Sequence, residues 1–525
     1  VHRRRVCIIH LKNRIAMNRF FRFLLCIVSF PAAAQNDGDA IFNSASIHDV
    51  YLQFSQQNYW DTLVTNHDSD VYTRCNVTFD GITVNDVAVK LKGNSSYNNN
   101  FMKKSMKIDF NEYVPGQDID GLKKLNLNNV FKDPSFLREK LMLDFLQEHN
   151  LPGPRCTYAR VYLNNTYWGL YTLVEDINDK FCTQRFGNND GNRFKGDPSG
   201  DLKWYGSSPS SYYNRYELDN NDSLNDWSDL VHLVDIINNT PAAQFEDSLE
   251  TVLQTWDFVY QWAADILFVN LDSYPGSGHN YFIYHNESSG LWQWIQWDVN
   301  EAFGNFNMGM QITQLQTLAW NYTGQMNNRP LITNMLANTT YRANYISALC
   351  QLTSDFTNVK LDPKIDSLAN AIRADVYADN LKFYSNQQFE DNIIMDITVP
   401  NSPGGGNIAG IKPFITARYN SLTSQLSGFG CYTGIPETET LTGNVYPNPF
   451  ATAVTVTLPV SFTAASATVS LTDVSGRDVT GAVTLEQEGN IIRLQAQELA
   501  AGIYTLQVAN PGMEPFSTRL VCTGR

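Results

Sequence analysis

Between residues 47 and 115 apolar and polar positions alternate or run in short apolar stretches, the pattern of strands with one buried face. Val71–Phe79 and Val84–Leu91 read as the two arms of a hairpin, with Asp80-Gly81 as its turn. Met106, Ile108 and Phe110 then alternate with Lys107 and Asp109, so Lys107 points away from three apolar side chains. The period lengthens over Ser135–His149, where Leu137, Leu141 and Phe145 recur every fourth residue behind Pro134, and a helix is expected. Tyr158–Leu163 and Leu170–Glu175 return to strands around a turn at Asn164-Asn165. Residues 186–226, rich in Asn, Asp, Gly and Ser, read as a long loop. From Trp227 to about Asn270 the pattern is helical, and its last helix carries Phe258, Trp262, Ile266 and Val269 on one face. Further helices are expected around Pro330–Leu352, Asp362–Ala378 and Pro413–Leu426. A strand-rich first part with one helix, then a helical second part, outlines a two-lobed α+β domain over residues 45–430.

The pattern changes once more beyond a Thr/Pro/Glu-rich linker at 431–441. Val454–Leu458, Ala467–Asp473, Ile491–Leu494 and Ile503–Val508 are short strands with turn signals at Ser475-Gly476 and Ala501-Gly502. Residues 442–525 are therefore expected to form a small all-β, immunoglobulin-like sandwich. This segment contains no histidine, and targeting or adhesion is its expected use. At the other end, residues 1–34 read as a leader. Met17 would be the start, Arg19 and Arg22 the charged region, Phe23–Phe30 the apolar centre and Ala32-Ala-Ala34 the cleavage site, leaving Gln35 first in the mature chain. No later segment is long and apolar enough to span a bilayer.

Charge sharpens this picture. The formal net charge is −15, and residues 1–34 hold seven basic and no acidic side chains, so the rest stands at −22. Such a balance argues against nucleic acid or an anionic membrane as partner. Cys7 and Cys26 leave with the leader; Cys75, Cys156, Cys182, Cys350, Cys431 and Cys522 remain, with no CxxC pair to hold zinc. Export permits disulfides, and Cys156 and Cys182, flanking one hairpin, either pair with each other or stay as buried thiols.

The chemistry concentrates between Asp272 and Asn300. Asn270-Leu-Asp272, His279-Asn280-Tyr281 and Trp297-Asp298-Val-Asn300 set acids and amides into an otherwise aromatic and aliphatic stretch. A strand-loop-strand unit that buries Phe282, Ile283, Tyr284, Trp292, Trp294 and Ile295 would present these polar groups at its ends. Phosphoryl transfer needs such a set: one carboxylate for a hydroxyl, and an amide plus a second carboxylate for a metal on the phosphates. Read alone, Asp272-Ser-Tyr-Pro-Gly276 is also a good turn sequence, Asn280 a strand cap and Asp298 a buried acid held by backbone donors.

Seven motifs in order give a resemblance. Lys92-Gly-Asn-Ser-Ser96, Lys103-Lys-Ser-Met-Lys107, Leu137-Arg-Glu-Lys140, Val161–Asn165, Gly169–Glu175, Asn270-Leu-Asp272 and Trp297-Asp298 resemble the spore coat protein H (CotH) kinase family. That resemblance implies an atypical, secreted protein-kinase-like fold using ATP with Mg²⁺ or Mn²⁺. It implies Asp272 as the catalytic-loop acid, and Asp298, Asn280 and Asn300 as metal ligands. Lys107 would pair with the phosphates, with Lys104 as competitor, and Glu139 would be its acidic partner unless Arg138 instead holds a phosphate. Lys92, Gly93, Asn94, Ser95 and Ser96 would form the phosphate loop, in place of a GxGxxG motif. Glu175 and Lys195 would reach the nucleotide. At Asn300 the family often has a second acid; with Asn there, either metal affinity drops or Glu301 compensates. Separately, Val445–Phe450, Leu471–Arg477 and Leu499–Tyr504 resemble the sorting domain of the type IX secretion route, although Cys522–Arg525 is less basic than that domain's usual end.

The expectation is an exported, cell-surface protein kinase acting on Ser or Thr hydroxyls and handled by the type IX machinery. The alternative is a surface adhesin or scaffold of the same fold whose cleft has lost its chemistry.

Overall fold

The computed structural model describes residues 36–523 apart from 70, 325–328, 401–405, 432–443, 449, 459–466, 474–476, 498 and 510–515. The leader, nearly all of the linker and the Ser475-Gly476 turn lie outside these residues. Two compact units emerge. One takes the described residues of Val1–Val130, Pro154–Asn189 and Ile372–Lys382; the other takes those of Phe131–Gly153, Asp190–Ala371 and Phe383–Arg525.

The alternating segments of the first unit close on themselves. Strands β1 (His48–Gln53), β2 (Thr73–Phe79), β3 (Ile82–Lys92), β4 (Ser105–Asp109), β5 (Lys124–Asn128), β6 (Cys156–Leu163) and β7 (Thr166–Glu175) form a barrel in the order β1-β2-β3-β4-β5-β7-β6. The closing pair, β1 with β6, is parallel, with Val50 opposite Val161. Every second side chain fills the interior, among them Val50, Leu52, Val77, Val89, Met106, Ile108, Leu125, Leu127, Val161 and Leu173. Burial of such side chains contributes about 1.5–3 kcal/mol each. Outside this core Lys103, fully buried, sits 2.6 Å from Asp379 Oδ2 and donates to the Leu170 carbonyl at 2.6 Å. The Leu170 amide donates to the same carboxylate at 3.1 Å. A Cβ on Gly169 would strike that carboxylate, and its φ of +137° also favours glycine.

The expected helices form, with more breaks than their periodicity shows. Pro330–Leu352 is two helices, Pro330–Ala337 and Thr339–Asp355, because Asn338 turns extended and its side chain accepts from the Tyr341 amide as a new N-cap. The helix expected at Ser135–His149 starts later, at Arg138, since the Asp133 carboxylate takes the Ser135 and Arg138 amides. Trp227–Asn270 divides into Ser228–Asn239, Phe245–Leu249 and Thr255–Phe268. The long loop expected at 186–226 is a correction: β8 (Arg193–Gly196) and β9 (Tyr216–Leu218) join β10 (Tyr281–Asn286) and β11 (Leu291–Gln296) in the order β11-β10-β8-β9. Buried Phe194, Leu202, Tyr212 and Tyr216 anchor this polar stretch. β12 (Ile397–Val399) and β13 (Gly406–Ile408) make a separate pair.

No bridge joins Cys156 to Cys182, both of which are buried thiols. The disulfide is Cys350–Cys431, with Cα atoms 5.6 Å apart, and it ties the helix Thr339–Asp355 to the chain two residues past the single turn Ser427–Phe429. Closing a loop of 81 residues in this way restrains the unfolded chain by about 4–5 kcal/mol in the chain-entropy account.

The C-terminal region is all-β. β14 (Asn444–Tyr446), β15 (Ala453–Thr457), β17 (Val483–Glu488) and β18 (Ile491–Ala496) form one sheet; β16 (Thr468–Asp473), β19 (Gly502–Ala509) and β20 (Phe516–Cys522) form another. Val456, Ile492 and Leu494 of the first and Leu471, Leu506 and Leu520 of the second share a core. Among the described residues no helix is long and apolar enough to cross a membrane.

Candidate functional site

The alternation that buries Met106 and Ile108 turns Lys107 to the outer face of the barrel, where its ladder neighbours are Lys90 on β3 and Asn126 on β5. Lys107 Nζ lies 2.8 Å from Asp176 Oδ2. Asn126 donates to the same oxygen at 2.9 Å, and Lys92 donates to Asn126 Oδ1 at 3.0 Å. Burial alone would raise the Asp176 carboxyl, but Lys107, Asn126 and Lys124 outweigh it and hold it below the usual carboxylate range.

Lys104 has a different task. Its ammonium donates to the carbonyls of Tyr97 and Asn99 at 2.6 and 2.8 Å, and to Asn99 Oδ1 at 3.1 Å. It therefore pins the turn that follows Lys92. In that turn Gly93 has φ +101°, and a Cβ there would collide with Ser96 Oγ. The Tyr97 and Asn98 amides are taken by the Asn94 carbonyl, whereas those of Asn94, Ser95 and Ser96 donate to no acceptor among the described residues. Glu175 is buried, and its two oxygens accept from Arg155 Nη2 at 2.6 Å, from Arg155 Nε at 3.1 Å and from Arg185 at 3.2 Å. Both of its oxygens are thus engaged by arginine.

In the second unit the β10–β11 hairpin does present polar groups at one end. Asn280 precedes β10, Asp298 follows β11, and the Trp297 amide donates to the Asn280 carbonyl at 3.3 Å. Asn280 and Asp298 have φ of +57° and +50°, left-handed conformations that turn the chain sharply where it enters and where it leaves the hairpin. Asn280 Nδ2 donates to Asp272 Oδ2 at 3.0 Å, joining the two across eight residues. The intervening Gly276-Ser-Gly278 is folded back rather than slack: the Ser277 amide donates to the Leu271 carbonyl at 2.8 Å, where any Cβ on Gly276 would clash. Buried Arg329 grips the same loop at the carbonyls of Tyr274 and Gly276.

His279 stands between two acids, with Nε2 3.4 Å from Asp197 Oδ1 and Nδ1 3.8 Å from Asp272 Oδ1. These carboxylates push the imidazole up to about 9. Lys195 Nζ lies 2.6 Å from Asp197 Oδ2 and 3.5 Å from Glu217. Burial would lower its pKa, but Asp197, Glu217 and Asp298 raise it overall. Asn300 and Glu301 belong to the single turn Val299–Glu301. Glu301 receives Lys132 at 2.8 and 3.1 Å, yet burial and the nearby Asp272 and Asp298 push its carboxyl up to about 7. Burial, with Asp272 and Asp298 beside it, thus favours a proton on Glu301 despite Lys132, and a nearby divalent cation would favour its ionised form instead. Among the described residues no three His, Cys, Asp or Glu side chains form a ready-made metal cage. Mg²⁺ needs none when one or two carboxylates, waters and phosphate oxygens complete its shell, so the oxygen donors of Asp298, Asn280 and Asn300 fit it.

Glu139 is buried on the first turn of its helix. Arg138 beside it is fully buried and bonded to Asp133, to Asn392 Oδ1 at 2.9 Å and to the Ala409 carbonyl at 2.6 Å, which makes it a structural cation.

The family model described as CotH kinase protein matches residues 89–400, well over half of the chain. The chain belongs to the CotH kinase protein family. Inner spore coat protein H of Bacillus subtilis is 27% identical to it over 309 residues, covering 58% of this chain and 82% of that protein. Invasin CotH3 of Rhizopus delemar is 21% identical over 360 residues, 61% of this chain and 57% of that protein. Residues 444–521 match a secretion system C-terminal sorting domain. Twitchin kinase of C. elegans aligns over 80% of this chain and 90% of its own, but at 8% identity and a TM-score of 0.22 it bears no weight.

Every residue picked out above from Lys92 to Glu301 lies within the CotH match. Sequence reasoning missed Asn126 and Asp176, which adjoin Lys107, and Asp197, which faces Asp272 across His279, and it named His279 in its motif without giving it a role. A signal existed for two of them. Asn126 alternates with Leu125 and Leu127 and so must face the same side as Lys107, and His279 adjoins Asn280. Asp176 follows the end of β7, and Asp197 lies 75 residues before Asp272; their partners are set by the sheets.

Proposed function

We propose that this CotH protein is an exported protein kinase that transfers the γ-phosphate of ATP to a Ser or Thr hydroxyl of a surface or secreted protein. The observation that carries this reading is the end of the β10–β11 hairpin, where Asn280 holds Asp272 and Asp298 emerges beside them in an acid-rich setting. In this reading Asp272 accepts the hydroxyl proton as the oxygen attacks phosphorus, and Asn280 fixes the direction of that carboxylate. Asp298, Asn280 and Asn300 would hold Mg²⁺ or Mn²⁺, which neutralises charge on the phosphates when bound. Lys107, held outward by Asp176, meets phosphate oxygens, and the amides of Asn94, Ser95 and Ser96 add donors that cost no charge. Lys195 sits by Asp298 and offers a further cation. Glu139 keeps its acidic role on the family resemblance alone. The two-lobed, kinase-like architecture and the immunoglobulin-like form of the tail belong to this reading. So does delivery to the cell surface through the type IX route, supported by the sorting-domain match.

Incorporation of labelled γ-phosphate by the full chain, beside Asp272→Ala, tests it. Label in the wild type, none in the variant, and equal ATP·Mg²⁺ binding by both are expected. Wild-type transfer by Asp272→Ala would reject its role. A second reading, a surface-binding protein with a silent cleft, draws on Asn300 and on the relative named an invasin. Folded wild-type protein that binds no ATP·Mg²⁺ would favour it.

A further inference from the structure

Asp265 lies on the helix Thr255–Phe268, one turn before the chain leaves for Asp272, and only 2% of it is exposed. Its two oxygens are divided. Oδ1 accepts from Asn270 Nδ2 at 2.9 Å, and Oδ2 accepts from Gln296 Nε2 at 2.9 Å. Asn270 stands two residues before Asp272, and Gln296, the last residue of β11, stands two before Asp298. The Asn270 amide also donates to the Asp265 carbonyl at 2.8 Å. The carbonyl oxygens of both side-chain amides, Asn270 Oδ1 and Gln296 Oε1, are buried with no donor among the described residues. The Asn270 side chain is therefore oriented by what it gives to Asp265, and that of Gln296 mainly so, with a longer second bond of 3.5 Å to the Gln261 carbonyl.

We infer that Asp265 is a positioning residue that locks the loop bearing Asp272 to the strand that leads to Asp298 through one carboxylate shared between Asn270 and Gln296. Its consequence for catalysis rests on the kinase reading; its geometry does not. The cost of keeping an acid there is visible, since burial pushes the Asp265 carboxyl up to about 7 against the opposing bonds from Gln296 and Asn270. A hydrophobic residue would fill the same space without that penalty but could not receive both amides.

Asp265→Asn sets an NH₂ group against one of two NH₂ donors and breaks one arm. Adding Gln296→Glu supplies a carboxylate for the new donor and restores both arms with the roles exchanged. In the full chain, Asp265→Asn is expected to lower phosphate transfer by about tenfold to a hundredfold. ATP·Mg²⁺ affinity should fall less, and hydrogen exchange should rise at both 270–280 and 297–301. The double variant should recover most of both. Exchange that rises uniformly across the unit, or in one segment only, or is unrescued by Gln296→Glu, overturns the inference. Exchange is read without nucleotide, so it decides the point even if the wild type transfers no phosphate and the kinase reading falls. Should Asp265→Asn not fold, Gln296→Met alone must raise exchange at 270–280, on the far side of Asp265; unchanged exchange there also overturns it.

Discussion

The chain keeps two charged clusters, and they solve opposite problems. On the barrel, Lys107, Asp176, Asn126 and Lys92 are matched donor to acceptor at 2.8–3.0 Å, and the acid is held strongly ionised. At the end of the β10–β11 hairpin four acids, Asp197, Asp272, Asp298 and Glu301, stand against three cations, Lys132, Lys195 and His279, and burial pushes Glu301 toward protonation. In the first cluster the buried acid is already paired within the protein, and only the partly exposed Lys107 has capacity left for a ligand. The second is short of positive charge. A buried group satisfied within the protein supports stability, whereas like charges held together are tolerated where something else is to bind. The two should therefore respond in opposite senses to loss of a charge.

The largest effect is expected from Asp298→Ala. Saturating ATP·Mg²⁺ at a hundredfold excess over its Kd should stabilise the wild type by about 2.7 kcal/mol and this variant not at all. The ligand-free Tm of the variant should stay within about 3 °C of wild type, because an acid has left a crowded acidic site. Unchanged ligand stabilisation would remove Asp298 from the site, and a large loss of ligand-free Tm would make it a structural acid like Asp176. The barrel cluster should behave the other way. Lys107→Met strands the buried Asp176 carboxylate and should cost about 2–3 kcal/mol in denaturant unfolding, less than for a fully buried pair because Lys107 is partly exposed. Asp176→Asn added to it should recover much of that. Additive losses would show that the two do not act as a pair.

The smallest effect is on pH. The His279 imidazole, raised by Asp197 and Asp272 to about 9, binds its proton more tightly when folded than unfolded. Its contribution to stability is complete below about 6.5 and is lost as pH rises through about 9. Metal-free wild type should lose stability across that window, and His279→Gln should flatten the slope. An equal slope in both would mean the two acids do not hold the imidazolium.

Period-two alternation located β2, β3, β4, β6 and β7, and it turned Lys107 outward. It could not show closure, because β1 meets β6 across about 100 residues with no local signal. The stretch 186–226 misled for a related reason: Phe194 and Tyr216 are scattered among Asn, Asp and Gly, and their strands are defined by pairing with β10. That Asn280 and Asp298 stand together at one end of a hairpin was legible because the stretch between them is strongly apolar. Asp265 was not, for it reads as one more polar position on a helix that is almost entirely buried. The disulfide was also hidden, since nothing in the spacing of Cys350 and Cys431 marks them as a pair.

The parallel β1–β6 junction has a further consequence. A barrel with no first or last strand offers no unpaired backbone rim to a neighbouring molecule. The tail is different: among the described residues β14 and β17 bound one sheet with no further strand outside them, while β16 and β20 of the other are partly covered by residues 477–479 and by Phe450. Where many copies crowd together, among the sheets of these two regions strand-by-strand annealing has a foothold on the tail and none on the barrel.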